Sequence, residues 1–107
     1  MTQDKLLSLL GICRRAGRLQ WGHDACLESL RQGRAKLCLL ASDASDRLRR
    51  EITEAAAANG SPPVIHTAYT MQQLRNATGY HAGVLSTEDE GFAKRLAELH
   101  REDLKED

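Results

Sequence analysis

The sequence predicts an α/β fold in which a small sheet is covered by helices on both faces. Apolar residues recur at helical spacing in five segments, and four short apolar runs separate those segments. The predicted order therefore alternates strictly between helix and strand, from a first helix to a last one. At 107 residues the chain can bury one modest core, so we interpret residues 1–107 as a single domain.

Two helices and two strands are predicted before residue 42. The helices span residues 4–16 and 24–32, and a glycine follows each of them, as at many helix ends. Between them, the short alternating segment RLQW predicts a strand. The second strand, KLCLLA, has an uninterrupted apolar centre, which is typical of a strand buried on both faces in the middle of a sheet.

The third predicted helix carries Leu48 and Ile52 inward and ends at Gly60. Its candidate N-caps are Ser42, Asp43 and Ser45. Two further short apolar runs, VIHTA and AGVLS, predict the third and fourth strands.

Capping boxes predict where the last two helices begin. Thr70 with Gln73, and Thr87 with Glu90, each match the pattern of a hydroxyl residue followed three positions later by Glu or Gln. The last helix runs from the second box toward the end of the chain. We expect the charged residues 100–107 to fray.

The balanced formal charge hides an unequal distribution along the chain. Residues 1–50 hold ten Lys or Arg against five Asp or Glu, a net of +5, and residues 51–107 hold the reverse, a net of −5. Such asymmetry is typical of a surface that binds a polyanion, with an acidic region on the other side. Ordinary solvated charge on both halves is the alternative interpretation.

Basic residues cluster at two predicted helix ends and are candidate phosphate contacts: Arg14, Arg15 and Arg18 at the first, and Arg31, Arg34 and Lys36 at the second. Cations also stabilise helix C-termini, so helix capping is the alternative for both clusters. The chain has one Trp, two Tyr and one Phe. We therefore expect no base-stacking platform of the kind found on RNA-recognition sheets, and any RNA binding would depend on charge, helix ends and shape.

Catalytic and metal sites are not indicated by the sequence. It contains no G-x-S-x-G motif and no phosphate-binding loop, so we expect no enzymatic activity and no cofactor. No metal site is expected either, because the four histidines lie far apart: His23, His66, His81 and His100.

Cysteine usage and hydropathy predict a cytoplasmic protein. The three cysteines have no C-x-x-C spacing and lie among aliphatic residues, which predicts buried free thiols in a reducing compartment: Cys13, Cys26 and Cys38. The apolar segment KLLSLLGIC is far shorter than the roughly 20 residues that span a bilayer. It also lacks the features of a signal peptide, so no membrane partner is expected.

Four segments occur in the same order as in a known family: LLGICRRAGRLQWG, GRAKLCLLASDAS, QQLRNATG and STEDEGFAKRL. Through them the chain resembles the ribosomal protein L-seven-Ae family, and most closely its small bacterial subgroup of the YlxQ type, over roughly residues 5–99. The resemblance implies a three-layer α/β/α sandwich around a mixed, four-stranded sheet. It also implies binding to structured RNA, of kink-turn or ribosomal type, with the ribosome as a candidate partner and no DNA partner.

The resemblance further implies where RNA would be contacted. Family members use the loop before the second helix and that helix's first turn, where Asn and Glu read guanine edges and Lys meets phosphate. A second loop, before the last strand, packs apolar side chains on an extruded nucleotide. Gly22 and Lys36 match the family pattern, His23 follows the glycine, and the second loop corresponds here to Tyr80, His81 and Ala82.

Three positions depart from the family pattern. Asp24 stands where Asn is expected, Ala25 where Glu is expected, and Glu28 where Lys is expected. An ionised Asp only accepts hydrogen bonds, Ala25 removes the carboxylate that would accept from guanine, and Glu28 reverses a charge close to phosphate. Since each missing base-edge pairing costs roughly 1–3 kcal/mol, we expect kink-turn recognition to be weakened.

Two other interpretations stay open at this point. The chain could be a ribosome-associated or protein-interaction module that has lost kink-turn binding, or it could be an enzyme or the detached substrate-binding domain of an RNA-modifying enzyme. RNA binding requires Arg14, Arg15, Arg34 and Lys36 to converge near Gly22, whereas an interaction module would expose an apolar patch.

Overall fold

A computed structural model describes residues 2–105 and gives them the predicted alternating order. The helices are α1 (Thr2–Arg15), α2 (His23–Arg31), α3 (Asp46–Ala58), α4 (Met71–Thr78) and α5 (Glu90–Lys105). The strands are β1 (Leu19–Trp21), β2 (Leu37–Leu40), β3 (Val64–His66) and β4 (Val84–Thr87). None of the helices in this part of the chain is both long and apolar enough to cross a membrane.

The four strands form one mixed sheet in the order β1-β4-β2-β3. Strand β2 is parallel to β3 and antiparallel to β4, and β1 is antiparallel to β4. Every residue of β2 is buried, as expected for a strand with a neighbour on each side and a helical layer on each face. The prediction that KLCLLA is a central strand is confirmed.

Alternate residues of β2 enter two separate apolar clusters, one on each face of the sheet. Leu37 and Leu39 pack in a cluster with α1, α4 and α5. Cys38 and Leu40 pack in a second cluster with α2 and α3. The molecule is therefore a three-layer α/β/α sandwich, and the predicted fold class is confirmed.

The helix starts agree with the sequence at α3 and α4 but not at α5. The Ser45 side chain accepts a hydrogen bond from the third residue of α3, and Thr70 and Gln73 form the predicted capping box. The predicted box of Thr87 with Glu90 is wrong. Thr87 is a buried residue of β4, and the Asp89 side chain instead accepts from the Phe92 N–H at 2.9 Å.

Helix α5 continues through Lys105 and therefore includes residues 100–105. The last two residues of the predicted tail, 106 and 107, lie outside the described residues.

The three cysteines are buried and unbridged, as predicted. Burial raises the pKa of the Cys26 thiol to about 11 and that of the Cys38 thiol to about 12, because a thiolate is poorly solvated in the core. These thiols therefore stay protonated at neutral pH and behave as small apolar side chains.

Candidate nucleic-acid interface

Helix α2 begins where β1 ends, at one end of the sheet. Gly22 separates the two elements and has a φ of +94°, a conformation that glycine adopts readily and other residues avoid. Its N–H donates to the Val84 carbonyl at 3.0 Å, which fixes the start of α2 against the first residue of β4. As a glycine it supplies no side-chain cap to the first turn of α2.

An aromatic pair lies beside this helix start. The rings of Trp21 and Tyr80 are stacked, with centroids 4.8 Å apart and planes 11° apart. The guanidinium of Arg14 lies 5.3 Å from the centroid of the Tyr80 ring, within the range of a cation–π contact. We call Arg14, Trp21 and Tyr80 the aromatic corner. It joins the end of α1, the end of β1 and the loop that precedes β4.

The small number of aromatic residues in the sequence does not predict that two of them stack at this corner. Antiparallel pairing sets Trp21 opposite Leu85, and this register brings the end of β1 close to the loop before β4. One feature of the sequence indicates this site: Trp21 and Tyr80 each adjoin a glycine at the boundary of a predicted element. That feature does not say which strands pair, so it could not bring the two rings together.

The three departures from the family pattern lie on the solvent side of α2. Asp24, Ala25 and Glu28 are all exposed, and the Asp24 carboxylate lies 3.5 Å from Nδ1 of His23. Glu28 accepts a hydrogen bond from Gln32, one turn further along the helix. Asp24 and Glu28 are four residues apart, so both carboxylates lie on the same face of the helix.

His23 ties the start of α2 to α3. Its Nε2 lies 2.7 Å from Oε2 of Glu51, whose other oxygen accepts from Arg47 at 2.9 Å. These hydrogen bonds, that from His23 above all, lower the pKa of the Glu51 carboxyl below its usual range. A ligand that hydrogen-bonds to Nε2 of His23 would therefore have to displace Glu51.

The second predicted contact loop is only partly accessible. His81 is exposed and Tyr80 is half-buried in the aromatic corner, whereas Ala82 is 8% exposed. The methyl group of Ala82 therefore belongs to the interior, and the expectation that it contacts RNA is not supported by its burial.

Three other basic candidates, Arg18, Arg34 and Lys36, lie at the other end of β4. The Lys36 N–H donates to the Thr87 carbonyl at 2.8 Å, whereas Gly22 is bonded to Val84. Three residues of strand separate those two carbonyls, which is about 10 Å at the usual rise of a β-strand. Lys36 and Arg34 therefore lie at the opposite end of β4 from Gly22, whereas Arg14 lies in the aromatic corner beside Gly22.

Two of these distant cations are paired with acidic residues of the second half of the chain. Arg34 contacts Glu88 at 3.0 Å and Arg18 contacts Asp89 at 4.0 Å. Ser29 also donates to Glu88 at 2.7 Å, and this bond is the main reason that the pKa of the Glu88 carboxyl is lowered. The +5/−5 split in the sequence is thus partly cancelled in space.

Exposed apolar surface comes from several elements. Within residues 2–105, the exposed large apolar side chains are Ile12 at 46%, Trp21 at 48% and Leu104 at 70%. Ile12 borders a groove between α1 and α4, where Arg15 also lies. The same part of the chain contains no group of three or more His, Cys, Asp or Glu side chains that could hold a metal ion.

The sequence profile of the Ribosomal protein L7Ae/L30e/S12e/Gadd45 family matches residues 4–97. The chain belongs to this family. RNA-binding protein YlxQ from Bacillus subtilis is 31% identical over 96 residues, which cover 85% of this chain and 90% of that protein. RNA-binding protein YlxQ from Enterococcus faecium is 26% identical over 97 residues, covering 91% and 92%.

Solved structures of similar chains confirm the sandwich fold. A protein of unknown function from Bacillus halodurans superposes with a TM-score of 0.84 at 31% identity, covering 91% of this chain and 97% of that one. The Giardia lamblia 15.5kD RNA binding protein gives a TM-score of 0.72 at 20% identity, covering 94% and 86%. The family profile and the two YlxQ relatives confirm the resemblance of the sequence to small bacterial members of the family.

In a member of the Ribosomal protein L7Ae/L30e/S12e/Gadd45 family, the geometry described above offers two kinds of contact at one end of the sheet. The aromatic corner presents a flat, partly exposed indole next to a cation. The start of α2 presents exposed carboxylates, which accept hydrogen bonds and repel phosphate. The aromatic corner can stack on a flat ring while Arg14 contacts a nearby negative charge. The start of α2 can accept hydrogen bonds from amino groups of a ligand.

Proposed function

We propose that this chain binds structured RNA, including ribosomal RNA, through the start of α2 and the loop before β4, and that it catalyses no reaction. The observation that carries the proposal is the stacking of Trp21 on Tyr80. It joins, in one surface, the two segments that the family resemblance implies as RNA contacts. The names of the YlxQ relatives, RNA-binding proteins of similar length, support the same function.

Positive charge for phosphate comes from the end of α1. Arg14 is exposed and lies against the Tyr80 ring, and Arg15 follows it at the C-terminus of the helix. A guanidinium stays charged at any physiological pH and can bind phosphate through two parallel N–H groups. We therefore place the phosphate contacts at Arg14 and Arg15, in a cytoplasmic protein that acts on RNA or on the ribosome.

Kink-turn recognition is weak in this proposal. The positive end of the α2 dipole would favour a phosphate, but Asp24 already occupies the first turn of that helix. Glu28 adds a second carboxylate one turn away, and Ala25 offers no acceptor for a guanine edge. What the helix start retains is the ability to accept hydrogen bonds from base amino groups.

The test is a titration of fluorescently labelled RNA by the intact protein, followed by anisotropy at several salt concentrations. One RNA is a kink-turn, and its matched control lacks the tandem G·A pairs. We expect salt-dependent binding of both, with a preference for the kink-turn of less than about tenfold, or about 1.4 kcal/mol. A much larger preference would show that recognition is intact. Failure to bind either RNA at low salt would favour the protein-interaction module.

A further inference from the structure

We infer that an unpaired nucleobase of the bound RNA stacks on the exposed face of Trp21. The inference rests on the proposed function and specifies how the RNA is held. It replaces edge reading at the start of α2 with stacking at the end of β1 as the main contact to a base.

The indole of Trp21 is held in place before any ligand arrives. It stacks on Tyr80, and the Tyr80 ring is also contacted by the Arg14 guanidinium. The side chain nevertheless remains 48% exposed, so part of the indole is accessible to a ligand. A ring fixed in this way loses little conformational freedom when a second flat group stacks on it.

Charge favours a nucleotide over an apolar protein segment as the occupant. Arg14 lies within the corner itself and Arg15 is the next residue. Within residues 2–105 neither arginine forms an ion pair, in contrast to Arg18 and Arg34. An aromatic face beside unpaired cations is the arrangement that binds single-stranded nucleic acid, with bases on the rings and phosphates on the cations.

The carboxylates of α2 limit what such a site can read. Asp24 and Glu28 oppose phosphate at the helix start, so the backbone of the RNA is directed toward the end of α1. Stacking does not depend on the donors and acceptors of the base edge. The expected ligand is therefore an RNA helix interrupted by unpaired nucleotides, with little dependence on their sequence.

The experiment uses the intact protein and two hairpin RNAs of the same stem sequence. One carries a bulge of three unpaired adenosines, and the other is fully paired. Trp21 is the only tryptophan in the chain, so intrinsic fluorescence excited at the red edge of the indole band reports on this residue alone. We expect the bulged hairpin to quench that fluorescence and the paired hairpin to leave it nearly unchanged.

Variants separate stacking from folding. We expect Trp21→Leu to lose about tenfold in affinity for the bulged hairpin, as measured by anisotropy of labelled RNA, and to change binding of the paired hairpin little. Trp21→Phe should keep most of the affinity. The matched control is Ile12→Ala, which removes a comparably exposed apolar side chain from α1 and should leave both affinities unchanged.

Three results would overturn the inference. Bulged RNA that binds without quenching, and with equal affinity to wild type and Trp21→Leu, would place the base elsewhere. An equal loss of affinity for both hairpins would show that Trp21 acts only through the shape of the corner. Absence of binding to either hairpin would overturn the proposed function as well. In that case the anisotropy of the labelled RNA would not rise when wild-type protein is added, whereas it would rise in the other two cases.

Discussion

Arg34 donates from Nε to Oε2 of Glu88 at 3.0 Å, so a cation from the basic half of the chain is paired with the acidic segment that precedes α5. A paired cation that lies at the far end of β4 from Gly22 is poorly placed to bind phosphate at the aromatic corner. We therefore expect Arg14 and Arg15 to contribute more to RNA binding than Arg34 and Lys36.

Two double variants test this difference, and each removes two positive charges. We expect Arg14→Ala with Arg15→Ala to reduce the slope of log affinity against log salt by about two, because each arginine neutralises one phosphate. Arg34→Ala with Lys36→Ala should leave the slope nearly unchanged. The measurement is RNA affinity at four or more salt concentrations for each protein. Equal slopes for the two variants would mean that RNA affinity depends on the total charge and not on the position of the arginines. A reduced slope for the Arg34 and Lys36 variant alone would place the phosphate contacts at Arg34 and Lys36.

The hydrogen bond from Ser29 to Glu88 makes a prediction about pH. The Ser29 hydroxyl is buried and is the largest cause of the lowered pKa of Glu88. We expect Ser29→Ala to raise the pKa of this carboxyl toward its ordinary value, because the carboxylate then has one donor fewer. Titration of the side-chain carboxyl carbon by NMR measures the change directly, and an unchanged pKa would contradict this explanation.

The hydrogen bond from Ser29 to Glu88 also contributes to the stability of the protein, and this contribution depends on pH. Because the folded pKa of Glu88 lies below the unfolded one, the contribution is present above the ordinary pKa of glutamate. It disappears as pH falls through the lowered folded value. The difference in unfolding free energy between wild type and Ser29→Ala should therefore shrink on acidification, and a difference that grows at low pH would contradict this explanation.

Close packing of α1 on α4 makes a prediction about stability. A Cβ at Gly11 would lie 2.9 Å from the backbone carbonyl oxygen of Ala77. We expect Gly11→Ala to destabilise the protein by about 1–3 kcal/mol, since the overlap with backbone outweighs the gain in helix propensity. The exposed Ser8→Ala on the same helix is the matched control, and it should be neutral or slightly stabilising. Urea denaturation measures the free energy of unfolding of both variants. A Gly11→Ala variant more stable than wild type would contradict the prediction, because it would show that α1 and α4 can move apart without cost.

The sequence predicts most of the fold because its elements are separated by clear local signals. Glycines follow the first two helices, and the uninterrupted apolar run of β2 is correctly placed at the centre of the sheet. The predicted start of α5 is wrong because the capping-box rule considers only neighbours in sequence. Thr87 is held in β4 by pairing with Leu19 and Leu37, and this pairing decides where the helix can begin.

The candidate site is less predictable, because its contacts join distant parts of the chain. Trp21 meets Tyr80 only through the register of β1 on β4, and Arg34 meets Glu88 only because β2 lies beside β4. Judged from its neighbours in sequence alone, Arg34 is a cation that caps a helix end, and Trp21 and Tyr80 are isolated aromatic residues. Only the order of strands in the sheet, which sequence patterns do not determine, shows which of these residues act together.

We expect RNA to bind at the start of α2, where three side chains weaken kink-turn recognition. The direct measurement is kink-turn affinity of the combined variant Asp24→Asn, Ala25→Glu and Glu28→Lys, beside the control RNA without G·A pairs. The variant restores the family pattern and raises the net charge by two. We predict that kink-turn affinity rises at least about tenfold, which requires only about 1.4 kcal/mol, and that the control RNA gains much less. Equal gains on both RNAs, or no gain on either, would contradict this expectation.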